Sequence, residues 1–162
     1  ATNCGPTLRG LMHLDKWLGD KPWDVIHFNW GLHDLKYMGP KGENLADPNI
    51  PSNKQQVPIE EYRKNLDQLV QTMKKTGAKL IWRNTTPVPE GSKGRLVGDS
   101  GKYNKAAAEI MVKYKIPTND LYSFSKENWD EVGRKANVHF TSQGSKKLAS
   151  LVAESIAAEL KR

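Results

Sequence analysis

Cysteine is almost missing from this sequence. Cys4 is the only one in 162 residues, which excludes an internal disulfide and any multi-cysteine zinc site. Long apolar runs are missing too. Nothing approaches the roughly 20 residues of a membrane span, so no membrane partner is expected. Apolar residues reach only 37%, which is low but sufficient for one core in a chain of this length. Five Trp and five Tyr supply much of the surface to be buried. No repeat, low-complexity tract or linker divides the chain, and residues 1–162 read as one domain. An initiator methionine is also lacking. The start, Ala1-Thr2-Asn3-Cys4, is expected to follow processing, trimming or truncation.

Charge of one sign is in excess, with a formal net charge of +7. Such a balance permits an acidic partner such as nucleic acid. The basic residues are scattered, however. Lys74-Lys75, Lys146-Lys147 and Lys161-Arg162 fall at helix ends or on polar helix faces. No aromatic platform and no basic recognition helix accompanies them. The reading is a basic, solvated surface with no nucleic acid partner.

What is present is a rhythm of strands and helices. Residues 24–29 (DVIHFN), 79–83 (KLIWR) and 116–121 (IPTNDL) are short strand-like runs. Between them, Ile59, Tyr62, Leu66, Leu69, Val70 and Met73 recur at helical spacing, after Pro58 and before Gly77. Tyr103, Ala107, Ile110, Met111 and Tyr114 form a second stripe. Leu148, Leu151, Val152, Ile156 and Leu160 form a third, entered through Thr141 or Ser142 as cap. Leu8, Leu11, Leu14 and Leu18 suggest a short first helix. Alternating strands and helices imply parallel β-α-β units with right-handed crossovers, hence a parallel sheet with helices on both faces. Two long loops, 30–57 and 84–100, begin where strands end. Ligands bind at the carboxyl ends of strands in open α/β sheets, so these loops are expected to form a site.

Two segments carry chemistry. In Asn137-Val138-His139-Phe140-Thr141 a histidine stands just before the last helix. It can serve as a general base for a serine at another strand end, or be a loop histidine with its hydrogen bonds met. In the run from Asp24 to Asp34 a strand passes into Asn29-Trp30-Gly31-Leu32-His33-Asp34. His33 then lies at the strand's carboxyl end, where it can donate to an oxyanion, with Asn29 and Trp30 beside it as binding residues. Asp34 can cap the next segment or fix the loop. His27, His33 and Asp34 could be imagined around a metal, but strand alternation points His27 away. No metal and no cofactor is expected.

Taken together, these segments resemble the SGNH-type, GDSL-like ester hydrolases. Gly31-Leu32-His33-Asp34 resembles that family's Gly-x-Asn-Asp block, with histidine in place of the donating asparagine. Asn3-Cys4-Gly5-Pro6-Thr7 resembles the block whose glycine lends a backbone N–H to the oxyanion hole, here Gly5. Val138-His139-Phe140-Thr141 resembles the last block, with His139 as catalytic base. The resemblance implies a three-layer αβα, flavodoxin-like parallel sheet. It also implies hydrolysis of carboxylic esters by serine acyl transfer, with small acyl groups such as acetyl on carbohydrate. Turnover requires no cofactor. The alternative is a catalytically inactive domain that binds carbohydrate or a protein partner, through Trp30, Trp82 and the two loops.

Three departures stand out. The family's opening strand and Gly-Asp-Ser block do not precede Asn3, so the nucleophile is expected outside these residues and the domain to be N-terminally incomplete. The acid that orients the base is replaced: Ala136 and Asn137 occupy those positions, and Asn137 can hydrogen-bond an imidazole without supplying charge. His33 replaces an asparagine. Gly98-Asp99-Ser100 spells the absent motif, but no buried strand precedes it, and Asp99 or Ser100 reads as a helix N-cap. Cys4 is an outside candidate for the nucleophile. Without the first strands, residues 24–29 would expose an edge that an N-terminal segment, another chain or a second copy in a homo-oligomer must cover.

Overall fold

The computed structural model describes residues 3–162. In chain order the elements are α1 (Thr7–Leu18), β1 (Val25–Phe28), β2 (Tyr37–Met38), β3 (Lys54–Gln55), α2 (Ile59–Lys74), β4 (Lys79–Arg83), α3 (Asp99–Tyr114), β5 (Thr118–Asn119), α4 (Leu121–Glu127), α5 (Trp129–Val132), β6 (Gly133–Arg134), β7 (Asn137–Phe140) and α6 (Ser142–Leu160). The main sheet is parallel with order β1-β4-β5. Val25 is in register with Lys79 and Phe28 with Trp82. Two short antiparallel ribbons, β2-β3 and β6-β7, lie outside it.

Alternation along the strands builds the layers. Ile26, Phe28, Leu80 and Trp82 join the core made with α1, α2 and α3. His27, Ile81 and Arg83 take the opposite direction, and α6 packs across β1, β4 and β5. The two central helical stripes read from sequence are buried faces, whereas Leu8 of the first stripe and Leu160 of the last are exposed. Tyr62, Leu66, Leu69, Val70 and Met73 of α2 are all buried, as are Tyr103, Ala107, Ile110 and Met111 of α3. At the centre Tyr62 and Tyr103 meet with ring centroids 4.9 Å apart. Tyr62 donates to the Trp30 carbonyl at 3.0 Å and Tyr103 to the Val57 carbonyl at 2.6 Å. The hydroxyls of these buried rings therefore fasten both ends of the 30–57 loop to the core.

Three local expectations change. The third strand shrinks to Thr118–Asn119, because Asp120 caps α4, accepting from the Ser123 N–H. The 30–57 loop contains a β-ribbon of its own. The cap of α3 is Gly98 in a left-handed conformation, with Asp99 already helical. Asp99 instead accepts from Gln55 and Lys102. Thr141 does cap α6, accepting from the Gly144 N–H at 2.9 Å. Gly144 is required there because a Cβ would run into the Val132 backbone.

One buried carboxylate ties the first helix to the end of β1. Asp34 Oδ1 accepts from the Thr7 N–H at 2.7 Å and the Thr7 hydroxyl at 2.6 Å. Pro6, the N-cap residue of α1, offers no side-chain cap, so Asp34 caps that helix from 27 residues away. Its second oxygen is buried with no partner. Burial dominates and raises its pKa from 3.8 to about 6, against the lowering effect of the Thr7 bonds. Because the folded value lies above the unfolded one, the stability this group contributes falls as pH rises through that window. His27 and His33, both held below 6.5 by burial first, act in the opposite sense below that pH. A paired comparison isolates Asp34. Relative to the parent, Asp34→Asn should gain stability between about pH 4 and pH 6, by a total on the order of 3 kcal/mol. Urea unfolding of both proteins across that range measures it, and parallel curves would refute the assignment.

Candidate active site

His139 lies not in a loop but on β7, in the ribbon that precedes α6. Alternation sends Val138 into the core while Asn137 and His139 face out on the same side. Asn137 Oδ1 thus accepts from His139 Nδ1 at 2.6 Å and from the His139 backbone N–H at 3.0 Å. Ala136, with φ 50°, occupies the ribbon's turn. The asparagine fixes the ring and leaves Nε2 free to take a proton, without contributing a negative charge.

Gly5 and His33 meet through a residue that sequence reasoning gave no role. Asn3 Oδ1 accepts from the Gly5 N–H at 2.6 Å, and Asn3 Nδ2 donates to His33 Nε2 at 3.1 Å. The Gly5 N–H is therefore not free in this conformation. It is held in an Asx turn. The only sequence signal for Asn3 was its place two residues before the glycine. His33 is half-buried, and its imidazole is held below the ordinary value by burial first, then by Lys36, Arg95, Arg9 and His139. It is neutral at pH 7, with one nitrogen a donor.

The turn into His33 is shaped by Gly31. Its φ is 154°, and a Cβ would collide with the Thr85 side chain. That close approach joins the carboxyl ends of β1 and β4. Asn29 Nδ2 donates to the Arg83 carbonyl at 2.7 Å and to Thr85 Oγ1 at 3.2 Å, and Arg83 donates back to Asn29 Oδ1 at 2.6 Å. Asn29 is thus committed to clasping two strands. Trp30 and Trp82 do not offer stacking faces, being only 5% and 2% exposed. Their rings fill the core, where burial of an indole contributes most to stability.

One cleft of about 490 Å³ gathers Asn3, Gly5, Asn29, Trp30, His33 and His139. Asn137 stands behind His139. Lys36, Arg83 and Arg95 also line it, and sequence reasoning missed all three, because scattered cations carry no local pattern. Among its lining residues only Cys4 bears a thiol or hydroxyl. Ser100 is not among them; it is buried in the first turn of α3. Among the described residues no group of histidine, cysteine and carboxylate side chains could hold a metal.

The site sits at the carboxyl ends of β1 and β4, where the fold class places ligands. Solved structures with this architecture include the lipase/acylhydrolase from Enterococcus faecalis, at TM-score 0.70 and 21% identity, covering 93% of this chain and 70% of that one. The acetyl xylan esterase AlAXEase matches at TM-score 0.71 and 13% identity, over 96% of this chain and 78% of that one. A GDSL-like lipase from Bacteroides thetaiotaomicron matches at TM-score 0.67 and 16% identity, over 94% and 71%. At these identities the likeness is one of fold. No curated protein matches the sequence. The sequence itself matches the GDSL-like lipase/acylhydrolase family over residues 4–152, a span that holds the α1 start, the Gly31–Asp34 turn and the β7 histidine. With that match over most of its length and this fold beneath it, the chain belongs to the GDSL-like lipase/acylhydrolase family.

Proposed function

We propose that this cleft hydrolyses carboxylic esters of small acyl groups, acetyl on carbohydrate among them, by serine acyl transfer. The observation that carries the reading is the convergence of a ring-fixed histidine, His139, with two potential oxyanion donors, the Gly5 N–H and His33, in one cleft. His139 takes the proton of the attacking hydroxyl and returns it to the leaving alcohol. The ester oxygen displaces Asn3 from both the Gly5 N–H and His33 Nε2, and His33, in the tautomer protonated at Nε2, donates to it as negative charge develops. The family and an acetyl xylan esterase of the same fold support ester chemistry.

The hydroxyl arrives, in this proposal, on a strand paired along the free edge of β1. Among the described residues β1 pairs only with β4. Val25 and Ile26 remain half-buried there, although Phe28 is already covered. An apolar hollow of about 370 Å³ runs past Leu14, Trp17, Trp23 and Ile26 on one side. A second, of about 570 Å³, runs past Leu148, Val152 and Ile156 on the other. Open edges flanked by apolar surface are places where strands add. An N-terminal segment or a second copy of the chain would supply it. A binding-only domain is the weaker reading, since the two indoles it would use are buried.

The test uses protein expressed from its whole gene. A serine-directed fluorophosphonate should label a serine on the strand paired with β1, and 4-nitrophenyl acetate should be turned over. Replacing His139 with alanine should abolish labelling and lower turnover by roughly 10^4–10^6, with thermal stability nearly unchanged because the side chain is exposed. Labelling at Ser100, or activity within a few-fold of the parent in His139→Ala, would overturn this arrangement.

The oxyanion hole makes a separate prediction. His33→Ala should cost roughly 10^2–10^3 in kcat, the scale of one donor. His33→Asn should restore much of it, because an amide can donate from the same turn. Steady-state kinetics decide, and an asparagine as poor as alanine would remove His33 from the hole.

A further inference from the structure

The cleft is lined by three cations, Lys36, Arg83 and Arg95, and by no Asp or Glu. Elsewhere five cations meet carboxylates: Arg63 with Glu60 and Glu109, Lys102 with Asp99, Lys113 with Asp67, Lys147 with Glu131, and Arg162 with Glu159. No carboxylate among the described residues pairs with Lys36, Arg83 or Arg95. Their bonds to the protein go to neutral acceptors. Arg83 donates to Asn29 Oδ1, and Arg95 Nε donates to the Leu32 carbonyl at 3.0 Å. These bonds hold the two guanidinium groups in place and leave their charge standing.

All three side chains are only partly exposed. Burial weakens the charged form of each, and Arg95 adds to the effect on Lys36. Half-burying like charges side by side is unfavourable unless something neutralises them. An arginine does not shed its proton to relieve the strain, so the remaining route is an incoming anion. The loops hold two of the cations in position for one. The Tyr37 N–H donates to the Gly94 carbonyl at 2.8 Å, and the Gln56 N–H to the Lys36 carbonyl at 2.7 Å. Arg95 and Lys36 are thereby fixed on the wall that also carries His33.

We infer that the substrate of this cleft is an ester that itself bears an anionic oxyacid group, bound by Arg95 and Lys36 while its acyl carbonyl lies between Gly5 and His33. The inference rests on the hydrolase reading above and narrows its substrate class. A planar guanidinium beside an ammonium fits the carboxylate of an acidic sugar or the phosphate of a phosphorylated one. Neutral acetylated sugars would leave the three cations uncompensated.

The experiment compares matched acetyl esters of glucose, glucuronate and glucose 6-phosphate on protein expressed from its whole gene. One or both anionic esters should exceed the neutral one in kcat/KM by roughly 10- to 100-fold, mostly through KM. Raising salt should shrink the advantage. The ratio should fall toward one in Lys36→Gln, whose main-chain bond is untouched, and in Arg95→Gln. The better anionic ester identifies carboxylate or phosphate as the group recognised. Calorimetric titration of free glucuronate and glucose 6-phosphate into His139→Ala separates this inference from the hydrolase reading. Lys36-dependent binding of either anion without turnover of any ester by the parent keeps the anion site and removes the hydrolase. Turnover of all three esters at similar kcat/KM, with neither anion bound, keeps the hydrolase and overturns the anion site.

Discussion

The pair formed by Asp34 and Thr7 is the constraint on which the site depends. Asp34 closes the turn that carries His33, and Thr7 opens the helix that follows Asn3 and Gly5. Asn65 of α2 donates to the same Thr7 hydroxyl at 3.2 Å, so α1, α2 and the β1 exit meet at one buried point. Two segments about thirty residues apart are thereby brought within a hydrogen bond of each other. A carboxylate with one oxygen unsatisfied and a raised pKa is a costly way to make that joint. Its location directly beneath the cleft is consistent with positioning taking precedence over stability.

Electrostatics then set the character of the cleft. Burial first, and then Lys36, Arg95 and Arg9, disfavour the charged form of His33, which suits the donor role proposed for it. His139 has only a neutral amide behind it. An imidazolium formed there gains no carboxylate partner, and the tautomer is set by geometry alone. In the proposed reaction the cations of the cleft would favour negative charge on a bound ester and on its tetrahedral intermediate alike, giving substrate selection and rate one physical origin.

The sheet explains where all this is assembled. β1 and β4 end side by side, clasped by Asn29, Arg83 and Thr85, and each releases a long loop from its carboxyl end. Tyr62 and Tyr103 fasten the two ends of the first loop to the core. The outer edge of β1 is the exception to this closure, since among the described residues no strand pairs with it.

Much of the scaffold was legible in the sequence. The stripe from Ile59 to Met73 became α2 because its apolar spacing matches the helical period, and KLIWR became β4 because β-branched and aromatic residues fit a pleated, buried strand. Thr141 was readable as a cap, and His139 and His33 stood out because histidine at strand and helix ends is rare and chemically specific. Tertiary structure decided the rest. Trp30 and Trp82 looked like binding surfaces and turned out to be core, since a side chain's exposure depends on which faces meet. Asn3 acquired its role only when Thr7 met Asp34. Lys36, Arg83 and Arg95 lie 12 to 59 residues apart in sequence and form a cluster only where β1 and β4 end together. Local order follows from neighbours a few residues away, which a sequence displays directly. A cleft is made by residues whose only relation is that the folded chain returns them to one place.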